Sequence, residues 1–539
     1  MLKLYTVIPI FIAILIFYIF LGFKIIDPTF INWTMEGDAG QHFLGWHFFR
    51  YANWQLPLGT INNYLYPNGT NTIFMDIIPI IAIILKPFSF LLPDKFQYTG
   101  IWLLSSVVLQ GFFAALLLEK VIKNKLFIIM GSIFFILSPI LYFRMGGHDS
   151  LTTHWLILAA LYLYLSPCDK KNDLKYLALI LFASLVHFYL LAMVLSVWIA
   201  YLFKIPNIKK NKKIIAKKFI FITSILFLNM LLFGYFSIGL NGAGGGYGLY
   251  SMNILAPINS LGFSAFFNSL SYLSAEQAGE GFNYLGLGVI ILIVISIVIL
   301  YKKYSVSMFL PYKSLIIISI LLTLFAISHK VGFGSYLLLN LEDLKIFKLG
   351  SVLRASGRMF WPVYYILIFI SIILIVKNLK PKISFMILSI TLIIQVMDLY
   401  PFLNGKKDLE NRVWNYSLKS PQWDILSKSI KHIVVVPPSV NANHDYSLGI
   451  YAADNKLTLN VGYAARVDIK EREEYIGKIM QSFTEEKFKK DTLYIISSEY
   501  LPSLEILNKD FNQGILDNYR IVYNKNIPIK IKPFNKIIQ

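Results

Sequence analysis

The chain has 539 residues, 56% of them apolar and only 15% charged, with a net charge of +20 and a mean hydropathy of +0.60; soluble domains carry about 45–50% apolar and about 25% charged residues. The apolar excess falls in runs of roughly 15–20 residues and the lysines lie between the runs, which excludes a cytosolic enzyme, a disordered chain and a nucleic-acid partner. A single cysteine, Cys168, excludes a disulfide framework and a cysteine-rich metal site.

The first apolar run, 5–23, follows Lys3 and has no small-residue cleavage site after it, so it reads as an uncleaved anchor with a cytoplasmic N-terminus. Runs at 100–118, 126–143, 151–165, 219–238, 284–300, 314–328, 361–376 and 383–400 each approach the roughly 20 residues that a crossing helix needs. The stretch 73–92 is interrupted by Asp76, Pro79, Lys86 and Pro87. A charge at mid-membrane costs a few kcal/mol, which favours an interfacial or re-entrant helix inside the first outer loop, 24–99. The stretch 177–203 is too long for one crossing and has His187 at its centre, so two short helices meeting there are expected to enter and leave on one side. The predicted fold is mainly α: a polytopic membrane bundle of about 11 helical segments plus interfacial helices over residues 1–400.

Lysine placement agrees with this threading. Lys120, Lys123, Lys125, Lys170, Lys171 and Lys175 fall in cytoplasmic loops, as do the cluster from Lys204 to Lys218 and Lys302, Lys303, Lys313, Lys377, Lys380 and Lys382. The exception is the outer loop 329–360, with Lys330, Lys345, Lys348, Arg354 and Arg358. From about residue 401 the composition becomes that of a soluble domain. Short β-rich runs (433–436, 457–461, 492–497, 519–523) alternate with helix-like stretches (447–453, 470–481, 501–508). That alternation predicts a small extracytoplasmic α/β domain, 401–539, with a partly parallel sheet.

Ionisable residues in a membrane protein are functional candidates, and here they collect in the outer loops. The first cluster runs from Glu36 and Asp38 to His42 and His47, with glycines between. It supplies a general base or cation ligands, or Asp38 simply caps a helix beginning near Ala39. The second spans Arg144, His148, Asp149 and His154. Here Asp149 is an N-cap or a ligand, His154 shares a face with Ser150 if both are helical, and Arg144 reads as an interfacial anchor. The third is His187 with Tyr189 at the hairpin tip, either a packed histidine or an anion contact. In the fourth, Arg354 and Arg358 stand four apart, on one side if helical, and guanidinium forks suit phosphate oxygens. The glycine-rich stretch 240–248 and the loop after it are a lid or a linker.

Three phrases, Gly37-Asp-Ala-Gly-Gln-His42, Gly147-His-Asp-Ser-Leu-Thr-Thr-His-Trp155 and Leu353-Arg-Ala-Ser-Gly-Arg358, in this order and on one side, resemble the GT-C superfamily of membrane glycosyltransferases, in a poorly characterised bacterial branch. The resemblance covers roughly residues 1–400. It implies that Asp38 is the first-loop acid, acting as general base or helping to hold a divalent cation (Mg or Mn). Asp149 then stands at the second acidic position, while His187, Arg354 and Arg358 stand near the donor phosphate. A Glu36/Asp38 pair replaces the clear Asp-x-Asp of metal-binding members.

An active site facing outward suits a lipid-linked donor, because nucleotide sugars belong to the cytoplasm. The expected activity is inverting transfer of a sugar from a polyprenyl-phosphate carrier to a hydroxyl on a cell-envelope glycan, lipid or protein. Asp38 is the base; Glu36, His42, His148, Asp149, His154, His187, Tyr189, Arg354 and Arg358 are the substrate-binding candidates. The expected location is the bacterial cytoplasmic (inner) membrane. The alternatives are a lipid or glycan transporter or flippase, or a non-catalytic scaffold of envelope assembly. The first calls for mid-membrane charges and repeated broken helices.

Overall fold

The structure, a computed structural model, describes residues 3–205, 208–238, 246–304, 310–342, 350–438, 445–497 and 506–533. The chain packs into two compact units. One comprises Met1–Pro28, Tyr98–Leu228 and Gly244–Asn411; the other comprises Thr29–Gln97, Asn229–Ala243 and Arg412–Gln539. Composition draws a boundary near residue 400, whereas packing groups most of the first outer loop with the C-terminal residues.

In the first unit the apolar runs are helices. Among the described residues seven helices of the chain are long and apolar enough to cross a membrane: Leu4–Leu21, Thr99–Glu119, Lys125–Phe143, Asn211–Leu232, Leu310–Ile327, Ser356–Asn378 and Pro381–Asp398. Seven, rather than about eleven, therefore meet the length. Four of the expected segments are shorter helices: Trp155–Tyr164, Lys170–Ser184, Phe188–Leu202 and Leu287–Lys303. The stretch 177–203 does break where expected: Leu185 ends one helix and His187 caps the next, its Nδ1 accepting the Tyr189 amide at 3.1 Å.

Side chains tie the helix ends together at both ends of this unit. At one end Lys3 pairs with Glu119 at 2.6 Å and Lys218 with Asp173 at 2.7 Å. There too Lys204 donates to the Tyr164 carbonyl at 2.7 Å, and Lys303 to that of Asn378 at 2.8 Å. At the opposite end the Asp398 carboxylate closes the last helix onto an earlier one. Its Oδ2 accepts from Tyr284 Oη at 2.7 Å and from the Leu287 amide at 2.8 Å, satisfying an otherwise orphan donor of the helix Leu287–Lys303.

The second unit is an α/β assembly. Its six-stranded sheet centres on His432–Val436, flanked in parallel by Thr458–Leu459 and Thr492–Ile496. Tyr519–Asn524, Phe511–Leu516 and Lys532–Pro533 follow antiparallel. The last two were not read from the sequence, nor was the helix Gln422–Ser429. Residues 501–505, most of the third expected helical stretch, lie outside the described residues. Val434, Val436, Tyr494, Ile496 and Val522 bury against Phe483 of the helix Ile469–Thr484.

The first outer loop joins this sheet through its backbone, which is why packing ignores the composition boundary. The Leu459 amide donates to the Asn63 carbonyl and the Tyr66 amide to the Leu459 carbonyl, both at 2.9 Å. The helix Gly37–Tyr51 buries Phe43 and Leu44 with Tyr446 and Ile450. A Cβ on Gly40 would lie 2.3 Å from the Tyr446 ring, so only glycine lets the two approach.

In the interrupted stretch 73–92 the helical piece is Pro79–Leu91, shorter than the helices long enough to cross a membrane. Lys86 is buried there, with its Nζ 3.9 Å from the Phe49 ring centre and 4.7 Å from that of Trp54. Burial lowers this ammonium to about 8. Between that value and the ordinary one of about 10.4, the unfolded chain binds more protons than the folded chain, so stability rises with pH through the window. Lys86→Met is expected to flatten this rise and to increase the thermal midpoint at neutral pH, as read by scanning fluorimetry.

Candidate functional site

The helix Lys125–Phe143 delivers Arg144 at its end. The chain then turns through Gly146, at φ +78°, whose amide donates to Asp149 Oδ1 at 2.7 Å. Asp149, buried, opens the 3-10 turn Asp149–Thr152 and fastens its own loop. No continuous helix starts at Ser150, so the expected face shared by Ser150 and His154 is absent. His154 instead precedes the helix Trp155–Tyr164. It is fully buried, with Nδ1 2.8 Å from Tyr365 Oη and its ring 4.3 Å from that of Trp361.

Arg144 is no interfacial anchor. It is buried, and its Nη1 lies 3.0 Å from Oε2 of Glu280. Nη2 reaches the Glu280 and Gly279 carbonyls at 3.3 and 3.4 Å. The same carboxylate oxygen receives Nε and Nη2 of Arg358, both at 2.6 Å, and Oε1 lies 3.6 Å from His148 Nε2. Aromatic faces line the cations: Arg358 lies 4.8 Å over Tyr189, and Arg144 lies 5.1 Å over Phe143 and 5.7 Å over Trp361. Tyr189 in turn accepts the Ala355 amide at 2.7 Å. Burial works against the Glu280 carboxylate, but Arg144 and then Arg358 hold it well below the usual carboxylate range. It is therefore a fixed anion and not a proton carrier. The two guanidiniums and one carboxylate sum to one positive charge, before His148 is counted.

Arg354 and Arg358 do not share a face. Ser356–Phe360 is a 3-10 turn, and Arg354, outside it, stacks 5.7 Å over Tyr250 while Arg358 turns to Glu280. Lys345 and Lys348 of the same loop lie outside the described residues, as do residues 240–245 of the glycine-rich stretch.

Glu280 was missed in the sequence, although a signal was present: Glu276 and Glu280 are the sole charged residues between 219 and 301. They sit on the short helix Ala275–Glu280, which Ser274 caps. The segment after it is pressed onto the Arg358 turn. Asn283 donates to the carbonyls of Gly281 and Gly357, both at 3.0 Å. A Cβ on Gly357 would stand 2.7 Å from Gly281 Cα and 3.1 Å from the Glu280 carbonyl oxygen. These are backbone atoms with no room to yield, so Gly357→Ala is expected to lower the thermal midpoint.

The second unit holds the remaining candidates. Asp38 lies in the first turn of the helix Gly37–Tyr51, whose N-cap is Glu36, without a side-chain capping bond. Asp38 is thus not the cap that one reading made it. His42 follows one turn later, with Nε2 3.6 Å from Oδ2 of Asp76, and Asp76 holds a left-handed backbone at φ +55°. Non-glycine residues in this region concentrate at functional sites. Glu36 is exposed and pairs with Arg412. His47 is buried, 2.6 Å from Asp454.

A family model described as "Domain of unknown function (DUF6311)" matches residues 10–400, and one described as "DUF6311 C-terminal domain" matches residues 422–524. No curated protein sequence matches the chain. Among solved structures, the chain is similar to the archaeal oligosaccharyltransferase AglB from Archaeoglobus fulgidus, in complex with an inhibitory peptide and a dolichol-phosphate. The TM-score is 0.44 at 10% identity, over 92% of this chain and 69% of that one. The Archaeoglobus fulgidus oligosaccharyltransferase tethered to an acceptor peptide gives 0.41 at 12% identity, over 92% and 69%. Its complex with Zn and sulfate gives 0.41 at 10% identity, over 97% and 74%.

Proposed function

The chain belongs to the DUF6311 family, and we propose that it is a membrane glycosyltransferase of the GT-C kind that moves a sugar from a polyprenyl-phosphate carrier to an acceptor hydroxyl. One observation carries this reading: Arg144 and Arg358, both buried, converge where helices of the bundle end. Two desolvated cations there are costly unless they serve an anion. Glu280 neutralises only part of that charge, and Arg144 Nε makes no hydrogen bond among the described residues. The lipid phosphate binds the Arg144 and Arg358 guanidiniums, Arg144 through its Nε, with Arg354 and His187 as further contacts.

In the reaction the acceptor oxygen attacks the anomeric carbon and passes its proton to Asp38. The bond from that carbon to the phosphate oxygen breaks, and the electron pair leaves with the phosphate. The guanidiniums meet the charge as it grows, which favours the transition state over the ground state. A single displacement inverts the anomeric configuration. Glu280 stays ionised throughout and orients the guanidinium forks.

Binding of the carrier tests the reading. Undecaprenyl phosphate is expected to raise the thermal midpoint of the detergent-purified protein, as a ligand bound only by the folded state must. Phosphatidylglycerol at the same concentration should not. Equal shifts from the two lipids would remove the phosphate site. Transfer assays with EDTA, and with added Mg or Mn, read any cation requirement, for which Asp38 and Asp149 are the candidate ligands.

A further inference from the structure

The outer loop after residue 246 is neither a lid nor a slack linker where it is described, for it is pinned to the ends of two spanning helices. The Met252 amide donates to the Ala326 carbonyl at 2.7 Å, in the last turn of Leu310–Ile327. The Ala265 amide donates to the carbonyl of Asp398, the last residue of Pro381–Asp398, at 2.8 Å. Ser264 binds the Asp398 carboxylate as well. A hairpin, Lys330–Phe333 with Tyr336–Asn340, begins three residues after Ile327 and joins this loop. Buried Asn253 donates to the Gly334 carbonyl and accepts the Gly334 amide, both at 2.9 Å. The Ile254 amide donates to the Gly332 carbonyl at 2.9 Å.

Polar groups thus face inward and apolar ones outward. Tyr336 is 72% exposed, Leu338 60% and Phe266 51%; Leu337, Leu339 and Phe267 are exposed beside them. Contiguous apolar surface of this kind marks a contact with lipid or with a partner. Position decides between them. Phe266 is one residue from the amide bonded to Asp398, and three residues of chain reach at most about 10 Å beyond Ile327. The headgroup zone is about 5–7 Å deep on each side of the hydrocarbon. The helix that leads into the hairpin is exposed as well, at Ile316, Ile317, Ile320 and Leu324. A two-stranded hairpin has unpaired backbone edges, which hydrocarbon does not tolerate and the interface does.

We propose that residues 254–273 and the hairpin Lys330–Asn340 form a collar seated in the headgroup boundary of the bilayer, with phospholipid as the partner. Gln277 accepts from Asn253 at 2.9 Å, on the same short helix that ends at Glu280. The collar and the arginine cluster therefore hang on one element.

The test needs no transfer activity. In a Cys168→Ser background, Leu338→Cys and Phe266→Cys are labelled with an NBD fluorophore and compared with Val413→Cys, a 78% exposed position near the start of the C-terminal residues. In phosphatidylcholine vesicles, lipid spin-labelled near its headgroup is expected to quench the first two severalfold more than the third. Aqueous iodide should show the reverse order. Iodide quenching of Leu338→Cys equal to that of Val413→Cys would overturn the proposal. Self-quenching that grows with the protein-to-lipid ratio would overturn it too, by assigning the surface to a second copy of the chain.

Discussion

Asp38→Asn is expected to slow sugar transfer by about 10²–10⁴-fold, the usual contribution of a general base, while donor binding and folding stay as they were. The substitution keeps the shape of the side chain and removes its negative charge and its capacity to take a proton. Asp38 does not cap its helix, because Glu36 occupies that position without a side-chain bond, so no capping bond is lost. Transfer of labelled sugar in proteoliposomes, with the thermal midpoint measured alongside, separates chemistry from folding. Unchanged turnover would remove Asp38 from the mechanism. A fall in turnover matched by a fall in the midpoint would assign it to structure instead.

The sequence revealed what depends on local pattern and concealed what depends on distant partners. The break at His187 was legible because 177–203 exceeds one crossing and a cap follows at once. The shortness of the helical piece in 73–92 was legible because Asp76, Lys86 and two prolines interrupt the run. Arg144 and Glu280 lie 136 residues apart, and no periodicity announces such a pair. Arg354 and Arg358 were misread for a different reason. A spacing of four implies one face only on an α-helix, and Arg358 sits in a 3-10 turn with Arg354 outside it. The grouping of the first outer loop with the C-terminal sheet rests on backbone bonds between Asn63, Tyr66 and Leu459, which side-chain composition cannot signal.

Glu280→Gln should be the most damaging substitution in the membrane unit. It leaves Arg144 and Arg358 buried without their shared carboxylate, and breaking a buried pair by removing one partner costs about 3–5 kcal/mol. The thermal midpoint of the purified protein reads this loss. A purely structural role predicts only that fall. An anion site predicts more: undecaprenyl phosphate should restore the midpoint of Glu280→Gln by a larger shift than it gives the wild type, because the ligand then supplies the missing charge. Combining the substitution with Arg144→Gln should cost less than the sum of the two, since the contact couples them. Acid reaches the same contact in the wild type. The Glu280 carboxyl is held below its unfolded value of about 4.3, so its contribution is complete above that pH and is lost as pH falls through the folded value. In Glu280→Gln that part of the acid sensitivity should be gone. If the variant keeps both its midpoint and the acid limb, the two arginines are not held by Glu280, and the phosphate site loses its physical basis.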